Sequence, residues 1–399
     1  MPTTLASRLG AVQPSITLAI NAKAAAMRAS GTDVVSFGVG EPDFEPPDFA
    51  LEAAIDAIRK GASKYTAVTG TAELKRAIAA DCERRRGFLP ELGQICVSVG
   101  AKHALFNTAL ALYEPGDEVI VPAPYWVSYP EQVRMMGAAP IVVETKMNEH
   151  FKLQPAALEA AITPRTKALV LCSPSNPTGA AYTKADLRAL ADVIARHDLW
   201  VVVDEIYSQL VYDGFEQSSL AAIAPELRDR IVVIDGVSKS HAMTGWRIGW
   251  SIAPKRVAAA IDIVQGQSTT NATAAAQAAA AAALAGPTDA MRAMVDTFAA
   301  RRAVMVHGLN ALHGVSCIMP EGAFYAFADV SELIGNTLAG VRIDSDDTLA
   351  MLLLEQAHVA CVPGSAFGAP GFVRFSYATS EARIREGLAR IAKLLSSTQ

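Results

Sequence analysis

The length, composition and charge of the chain favour a folded protein of more than one domain. At ~150 residues per domain, its 399 residues correspond to roughly two to three domains. Hydrophobic residues make up 51% and charged residues 19%, and the 27 glycines and 21 prolines are ordinary frequencies. These values exclude disordered, collagen-like and low-complexity proteins. Because 35 basic residues face 40 acidic ones, we expect neither nucleic acid nor an anionic membrane as a partner.

The cysteines and the amino-terminal segment indicate a cytoplasmic protein. The five cysteines form no C-x-x-C pair, which is typical of buried thiols in a reducing compartment. Residues 1–10 lack the basic and apolar segments of a signal peptide, and no apolar run resembles a membrane helix. The seven histidines are dispersed, so we expect no metal site.

Short apolar runs alternate with longer helical patterns along the first two thirds of the chain. This alternation predicts an α/β fold with a central, mostly parallel sheet. Val/Ile-rich runs suit strands that are buried on both faces. The predicted strands are 95–99, 118–121, 168–171, 200–203, 231–234 and 248–252. A helix is predicted over 103–112, and the alanine-rich segment 272–285 predicts a tightly packed internal helix.

From about residue 289 the pattern changes and predicts a second, smaller α/β domain. A long amphipathic helix is expected over 291–312, with strands around 323–327 and 373–377 and a terminal helix from Ser380. The predicted division is an N-terminal arm with part of the small domain (1–45), a large domain (46–290) and a small C-terminal domain (291–399).

Ligands of open α/β sheets bind beyond the carboxyl ends of the strands, so polar residues at these ends are candidates for a site. Gly100, Ala101 and Lys102 join strand 95–99 to a helix, whose first turn could bind phosphate or could be ordinary packing. Asn176 lies in a turn with two prolines, which indicates either a directed hydrogen bond or simple closure of the turn.

Two neighbouring predicted strands end in an acid and a lysine. Asp204 follows strand 200–203 and needs a cationic partner, because an unpaired buried carboxylate is costly. Lys239 follows strand 231–234, and its shielded amine could be a nucleophile toward carbonyls or could pair with Asp204.

Two arginines lie in or beside predicted strands. Arg247 begins strand 248–252, and Arg374 lies within strand 373–377 of the smaller domain. The planar guanidinium group matches phosphate or carboxylate. Either arginine could instead close an internal salt bridge.

Eight segments in one order resemble the fold-type I, pyridoxal-phosphate-dependent aminotransferases, in the bacterial and plant branch of the aspartate aminotransferase family. The resemblance runs from about residue 14 to residue 395. The segments are 40–44 (GEPDF), 64–65 (KY), 100–102 (GAK), 124–130 (PYWVSYP), 175–179 (SNPTG), 204–207 (DEIY), 238–239 (SK) and 243–249 (MTGWRIG). The resemblance implies the fold-type I architecture, pyridoxal 5′-phosphate bound by the large domain, and a homodimer with shared active sites.

The resemblance also implies roles for the residues around the cofactor ring. Lys239 would bind the cofactor covalently and move the proton between the substrate α-carbon and the cofactor. Asp204 would pair with the pyridinium nitrogen. Tyr207 and Asn176 would hydrogen-bond the phenolic oxygen, and Trp126 would lie against the ring and border the substrate.

The phosphate is implied to lie among residues of the same chain and one of its neighbour. These are Gly100, Ala101, Lys102, Ser238 and Arg247, with Tyr65 reaching over from the neighbouring subunit. Many relatives carry a serine three positions before the lysine, where this chain has Gly236. Ser238 is therefore left as the hydroxyl at this point.

On the substrate side, Arg374 would bind the α-carboxylate, helped by Asn176 and the backbone of Gly40, while the small domain closes. No arginine matches the one that the animal and enteric branch uses for a side-chain carboxylate. In the branch that this chain resembles, Thr17 and Lys102 are the matching candidates. Some members of this branch also transaminate prephenate to arogenate.

These residues favour an aminotransferase that exchanges the amino group between L-aspartate or L-glutamate and a 2-oxo acid in a ping-pong cycle. A β-lyase, decarboxylase or cyclising enzyme is the alternative, because the same cofactor supports each of these reactions. A regulatory module without turnover is the alternative from another class. The chain has no H-E-x-x-H or G-x-S-x-G motif.

Overall fold

The computed structural model describes residues 5–12 and 16–396. Its α-helices are α1 (Ile16–Ala29), α2 (Asp48–Arg59), α3 (Ala72–Arg86), α4 (Ala101–Leu112), α5 (Ser128–Met135), α6 (Pro155–Ala161), α7 (Lys184–Ile194), α8 (Leu220–Ile223), α9 (Lys255–Gly266), α10 (Ala274–Ala285), α11 (Asp289–Asn310), α12 (Asp346–Gln356) and α13 (Glu381–Leu395). Its strands are β1 (Val35–Ser36), β2 (Ile95–Val99), β3 (Glu118–Ala123), β4 (Ala139–Glu144), β5 (Thr166–Cys172), β6 (Trp200–Asp204), β7 (Ile231–Gly236), β8 (Ile248–Ile252), β9 (Ser316–Cys317), β10 (Tyr325–Asp329), β11 (Thr337–Leu338), β12 (Val341–Arg342), β13 (Val359–Ala360), β14 (Val362–Pro363) and β15 (Phe372–Ser376). None of these helices is both long and apolar enough to cross a membrane.

The central sheet has seven strands in the order β2-β8-β7-β6-β5-β3-β4. Neighbouring strands are parallel except at β8, which runs antiparallel to both β2 and β7. All residues of β7 and β8 are buried, as the apolar runs predicted. The prediction of a mostly parallel α/β sheet is confirmed.

Strand β4 was missing from the predicted strands. It lies at the edge of the sheet, and each of its residues is exposed or half-buried. It also contains Pro140, which edge strands tolerate because its missing N–H can face solvent. An edge strand therefore lacks the continuous apolar signal of the central strands.

The alanine-rich helix α10 packs against α2 and α3, and most of its residues are buried, as predicted. Its one amide side chain, Gln277, has partners inside the structure. The backbone N–H of Thr71 donates to Gln277 Oε1 at 2.8 Å, and Gln277 Nε2 donates to the carbonyl of Ala272 at 2.7 Å. Small side chains here allow close packing without burying an unpaired polar group.

The last third of the chain forms a second hydrophobic core around an antiparallel sheet in the order β14-β15-β10-β9. Helices α11 and α13 pack on each other, and α11 also packs on β9 and β10. The elements predicted over 291–312, 323–327, 373–377 and from 380 are present with ends shifted by one or two residues. Strand β1 pairs in parallel with β13, so an amino-terminal segment joins this region. The division into domains stays a prediction.

Candidate active site

A cavity of about 280 Å³ lies at the carboxyl ends of β6 and β7. Every predicted site residue lines it except Gly100 and Tyr65. Those that do are Thr17, Gly40, Ala101, Lys102, Trp126, Asn176, Asp204, Tyr207, Ser238, Lys239, Arg247 and Arg374. Residues far apart in the sequence therefore meet at the edge of the sheet where parallel strands end.

Lys239 follows β7 and presents a buried amine to the cavity. Its Nζ donates a hydrogen bond to the carbonyl of Gly40 at 2.5 Å. Burial lowers the pKa of Lys239 to about 8, against the opposing effect of Glu41. An amine with this pKa is partly uncharged near neutral pH and is then a nucleophile. The ion pair with Asp204 that the sequence left open is not formed among the described residues.

Asp204 ends β6 and is only 3% exposed. Tyr129 Oη donates to Asp204 Oδ2 at 2.8 Å, and the backbone N–H of Ile206 donates to Oδ1 at 3.2 Å. Burial raises the pKa of Asp204 to about 6, although the hydrogen bond from Tyr129 opposes this shift. No described basic side chain pairs with this carboxylate, so it is suited to the protonated nitrogen of a ligand.

The amino terminus of α4 and Arg247 form another part of the cavity lining. Gly100 has φ +82°, and a Cβ on it would lie 2.4 Å from Arg247 Nη2, so only glycine allows this approach. Arg247 Nη1 donates to the carbonyl of Thr244 at 2.8 Å, and Arg247 has no ion pair among the described residues. A helix amino terminus, an unpaired guanidinium and Ser238 together suit a phosphate group.

Gly236 explains the departure from the serine of many relatives. A Cβ at this position would lie 2.9 Å from the carbonyl oxygen of Ile248 and 3.1 Å from Gly249 Cα. Residue 236 pairs with Gly249 across strands β7 and β8. The close pairing of β7 and β8 leaves no room for a side chain at residue 236. Ser238 therefore remains as the hydroxyl that lines the cavity.

Arg374 lies in β15 and is 3% exposed. Its Nη1 donates to Asn176 Oδ1 at 2.8 Å and its Nη2 to the carbonyl of Gly38 at 2.9 Å. Its Nε is buried without a hydrogen-bond partner among the described residues. The internal salt bridge that the sequence left open is not formed there. A buried guanidinium with no counter-ion is suited to a carboxylate.

Two tyrosines close the cavity beside Arg374. Tyr207 Oη and Tyr325 Oη form a hydrogen bond at 2.9 Å, and the guanidinium of Arg374 lies 4.5 Å from the ring centre of Tyr325. A Cβ on Gly40 would lie 2.9 Å from Tyr325 Oη, which accounts for the glycine. The sequence interpretation missed Tyr325, because nothing local distinguishes it from other aromatic residues of a buried strand.

Thr17, Lys102 and Trp126 form the far wall of the cavity. Lys102 Nζ lies 4.8 Å from the ring centre of Trp126, and the Thr17 hydroxyl is buried without a hydrogen-bond partner among the described residues. Desolvation, helped by the charge of Arg247, lowers the pKa of Lys102. These three residues also border an adjoining cavity of about 830 Å³.

The structure departs from the predicted site at two further residues, Tyr129 and Tyr65. Tyr129 belongs to the segment 124–130, but the sequence gave no sign of its bond to Asp204, which is 75 positions away. Tyr65 is 88% exposed and does not line the cavity of its own chain. The predicted contact of Tyr65 with the phosphate would lie at an interface with a second subunit.

Among the described residues, no group of three His, Cys, Asp or Glu side chains could hold a metal ion.

Comparison with known proteins relates this geometry to one family. The family described as aminotransferase class I and II matches residues 32–391. An aspartate aminotransferase of Rhizobium meliloti is 47% identical over 97% of this chain and 95% of its own length. An aspartate/prephenate aminotransferase of Cereibacter sphaeroides is 47% identical over 97% of both chains. The crystal structure of the Rhizobium meliloti aspartate aminotransferase superposes with a TM-score of 0.97, at 45% identity and full coverage of both chains. The chain belongs to the class I and II aminotransferases.

Proposed function

We propose that the protein transfers the amino group between L-aspartate or L-glutamate and a 2-oxo acid, with pyridoxal 5′-phosphate as cofactor. The observation that carries this proposal is the pairing of two groups in one cavity. Lys239 offers an amine with a pKa of about 8, and the buried Arg374 offers an Nε without a partner among the described residues. The amine suits the aldehyde of the cofactor, and the guanidinium suits the carboxylate of an amino-acid substrate.

Three features of the cavity fit pyridoxal phosphate. Asp204 is a buried carboxylate without a basic partner among the described residues, and Lys239 supplies the amine. Gly100 leaves room for Arg247 at the amino terminus of α4, where Ser238 and Arg247 would hold the phosphate. When bound, the cofactor supplies a ring that accepts the electron pair left at the substrate α-carbon. Trp126 would lie against its ring.

The side chains of the protein divide the remaining work. Arg374 orients the substrate through its α-carboxylate, and Asn176 fixes the guanidinium through the bond of 2.8 Å. Lys239, as the free amine, removes and returns the proton at the α-carbon. Asp204 keeps its charge for the ring nitrogen, since Tyr129 and the N–H of Ile206 stabilise the carboxylate. Closure of the small domain would exclude water during this step.

The far wall supports a substrate with a second carboxylate. Thr17, Lys102 and Trp126 line the same cavity as Arg374, and we propose that the Thr17 hydroxyl and the Lys102 amine bind the side-chain carboxylate of the substrate. The adjoining cavity of about 830 Å³ favours a second candidate, transamination of prephenate to arogenate. Its lining includes Phe106 and Phe367, which suit a ring, and one of the similar enzymes is named aspartate/prephenate aminotransferase.

We further propose a homodimer with shared active sites, in which Tyr65 of each subunit reaches the phosphate of the other. With 88% of its surface exposed, Tyr65 is available to a second subunit. We also propose that the large domain ends at about residue 290 and that the small C-terminal domain begins there. A cytoplasmic location agrees with the five free cysteines.

The reaction with an amino acid alone, before any 2-oxo acid is added, is one half of the proposed transfer. It tests the proposed reaction and its substrates. The purified protein with bound cofactor is mixed separately with L-aspartate, L-glutamate, arogenate and L-phenylalanine, without a 2-oxo acid, and its visible absorbance is recorded. For a dicarboxylate aminotransferase, we expect the visible absorbance band of the bound cofactor to be lost with aspartate and with glutamate but not with the other two amino acids. Equal or faster loss with arogenate would establish the second candidate.

Product analysis then separates transfer from other reactions. Addition of 2-oxoglutarate or oxaloacetate should restore the band and release the matching amino acid. Accumulation of pyruvate or ammonia without a 2-oxo acid would contradict the proposal and favour a lyase. No change with any amino acid would also contradict it.

A further inference from the structure

A cluster of charged side chains lies directly behind the candidate active site, and none of its members lines the cavity. We call it the ion cluster, and it comprises Asp81, Arg85, Arg86, Glu205 and Asp235. The side chains of Asp81, Arg86, Glu205 and Asp235 are 1–3% exposed, and that of Arg85 is 17% exposed. So many charges in a protein interior need a physical reason.

The two arginines end helix α3 and bind the ends of two strands. Arg86 Nε donates to Glu205 Oε2 at 2.6 Å, and Arg86 Nη2 donates to Asp235 Oδ2 at 2.6 Å. Arg85 Nη2 donates to the same oxygen of Asp235 at 2.7 Å and to Asp81 Oδ2 at 2.6 Å. The guanidinium groups therefore tie α3 to both β7 and the residue that follows β6.

Each anchored position is close in sequence to a residue of the active site. Glu205 directly follows Asp204, and Asp235 precedes Lys239 by four positions. Asp235 Oδ1 also accepts the backbone N–H of Gly236 at 2.7 Å, at the start of the segment that carries Lys239. The cluster thus reaches the backbone at the end of β7 and the side chain that directly follows Asp204.

A third anchor reaches the turn after β6. Arg85 Nη1 donates to Ser208 Oγ at 3.0 Å, and Ser208 directly follows Tyr207. One helix end therefore contacts the direct sequence neighbours of Asp204 and Tyr207 and a residue four positions before Lys239, the three residues that were predicted to be catalytic.

Opposite charges within the cluster hold Asp235 and Arg86 in the ionised form. Burial alone would raise the pKa of Asp235, but Arg86 and Arg85 hold it below its ordinary value. Burial likewise opposes the charge of Arg86, but Glu205 and Asp235 hold its pKa above the ordinary value. A buried ion pair is a poor source of stability compared with apolar packing, whereas its fixed hydrogen-bond geometry can specify position.

We propose that Arg85 and Arg86 are positioning residues that fix the ends of β6 and β7, and so the separation of Asp204 and Lys239. The inference rests on the proposed function, since that function requires both side chains to meet one cofactor. The arginines touch neither substrate nor cofactor and act through Glu205, Ser208 and Asp235. Displacement of a reacting group by about 1 Å can cost about 100-fold in rate.

The test is a charge-balanced double variant, Arg86→Met with Glu205→Gln. It removes one positive and one negative charge that are joined by a hydrogen bond, so no unpaired charge is left by the exchange. Thermal unfolding, the half-life of cofactor loss on dialysis, the visible absorbance of the bound cofactor, kcat and KM are measured. Since neutral side chains of similar volume often replace a buried pair without loss, we expect the unfolding temperature to be unchanged or higher.

The positioning role predicts that function falls while stability does not. We expect kcat to fall by about 10–100-fold, KM for the amino donor to change by less than about threefold, and the cofactor to be lost about tenfold faster. A stable variant with wild-type kcat, cofactor retention and absorbance would overturn the proposal. So would a variant that loses only stability.

A second variant covers the case in which the double variant does not fold. Asp235→Asn can still accept the N–H of Gly236 through its amide oxygen but no longer attracts both guanidinium groups. It should show the same fall in kcat and in cofactor retention, and wild-type values would overturn the proposal. Arg188→Met is the matched control, because it breaks exposed ion pairs with Asp192 and Glu226, and none of these three residues lines the cavity.

The two proposals fail in different ways. If the wild-type protein converts none of the amino acids, the proposed function is wrong. Cofactor retention and absorbance of the variants would still decide whether the ion cluster positions Asp204 and Lys239, because neither readout requires turnover.

Discussion

The floor of the cavity and its substrate-facing walls are built in different ways. On the floor, Asp204 ends β6 and Lys239 follows the neighbouring strand β7, and their polar atoms are bonded within the protein, to Tyr129 and to Gly40 respectively. On the walls, Thr17 Oγ1 and Arg374 Nε are buried without partners among the described residues. The floor is therefore prepared for a group that stays in place, whereas the walls keep binding capacity for molecules that enter and leave. This difference predicts that changes to the floor stop the reaction for every substrate, while changes to the walls weaken the binding of substrate and leave the cofactor in place.

The largest effect is expected for Lys239→Ala. Loss of the amine removes both the covalent attachment point and the group that moves the α-proton, so kcat should fall on the order of 10⁴-fold for every amino donor. Stopped-flow absorbance of the half-reaction measures this fall. Turnover within about tenfold of the wild type would mean that the floor has another base.

Arg374→Lys tests the wall that faces the α-carboxylate. A lysine keeps the charge but loses the planar pair of donors and the bonds to Asn176 and Gly38. We expect kcat/KM to fall about 100-fold for aspartate, glutamate and phenylalanine alike, while the cofactor stays bound. A loss confined to one amino acid would show that Arg374 binds a side chain instead.

The pH dependence of cofactor attachment tests the floor without substrate. Burial favours the uncharged amine of Lys239 and lowers its pKa to about 8. The rate at which cofactor-free protein binds pyridoxal phosphate should therefore rise about tenfold per pH unit below pH 8 and level off above it. Rapid mixing at constant ionic strength measures this profile.

Glu41 provides the matched variant for this profile. Its charge raises the pKa of Lys239, so Glu41→Gln should move the midpoint to lower pH. A midpoint near 10, or one that the substitution moves to higher pH, would contradict the assignment of Lys239.

The smallest of the four effects is expected for Lys102→Ala, which tests the far wall. If Lys102 binds a second carboxylate, kcat/KM should fall by about tenfold for aspartate and remain within about twofold for phenylalanine, since one charged hydrogen bond is lost. Steady-state kinetics with both amino acids measure the ratio. Equal falls in kcat/KM for the two amino acids would indicate that Lys102 binds the cofactor. Lys102 would then not count among the substrate-binding residues of the walls.

Some parts of the site could be predicted because their signal is local. Asp204 and Lys239 each follow a run of apolar residues, and the edge of a parallel sheet brings such positions together. The close turn at Gly100 and the arginine of the segment 243–249 carry similar local signals. The resemblance to a known family then assigned a role to each.

Other contacts depend on chain segments that meet only in the folded protein. Tyr129 bonds Asp204 from 75 positions away, and Arg374 bonds Asn176 from 198 positions away. A tyrosine in a helix and an arginine in a strand look the same in the sequence whether or not they have such partners. Their geometry is decided by packing between elements.

The sequence by itself determined six of the seven strands of the central sheet, the order of the main elements and the residue types at the strand ends, because apolar periodicity and turn residues act over short distances. Only the tertiary structure decided which buried groups keep their charge. Helix α3 brings Arg85 and Arg86 under two strand ends, and β10 brings Tyr325 beside Arg374. Burial and charge at a point in space depend on every element that surrounds it, and no local pattern records that sum.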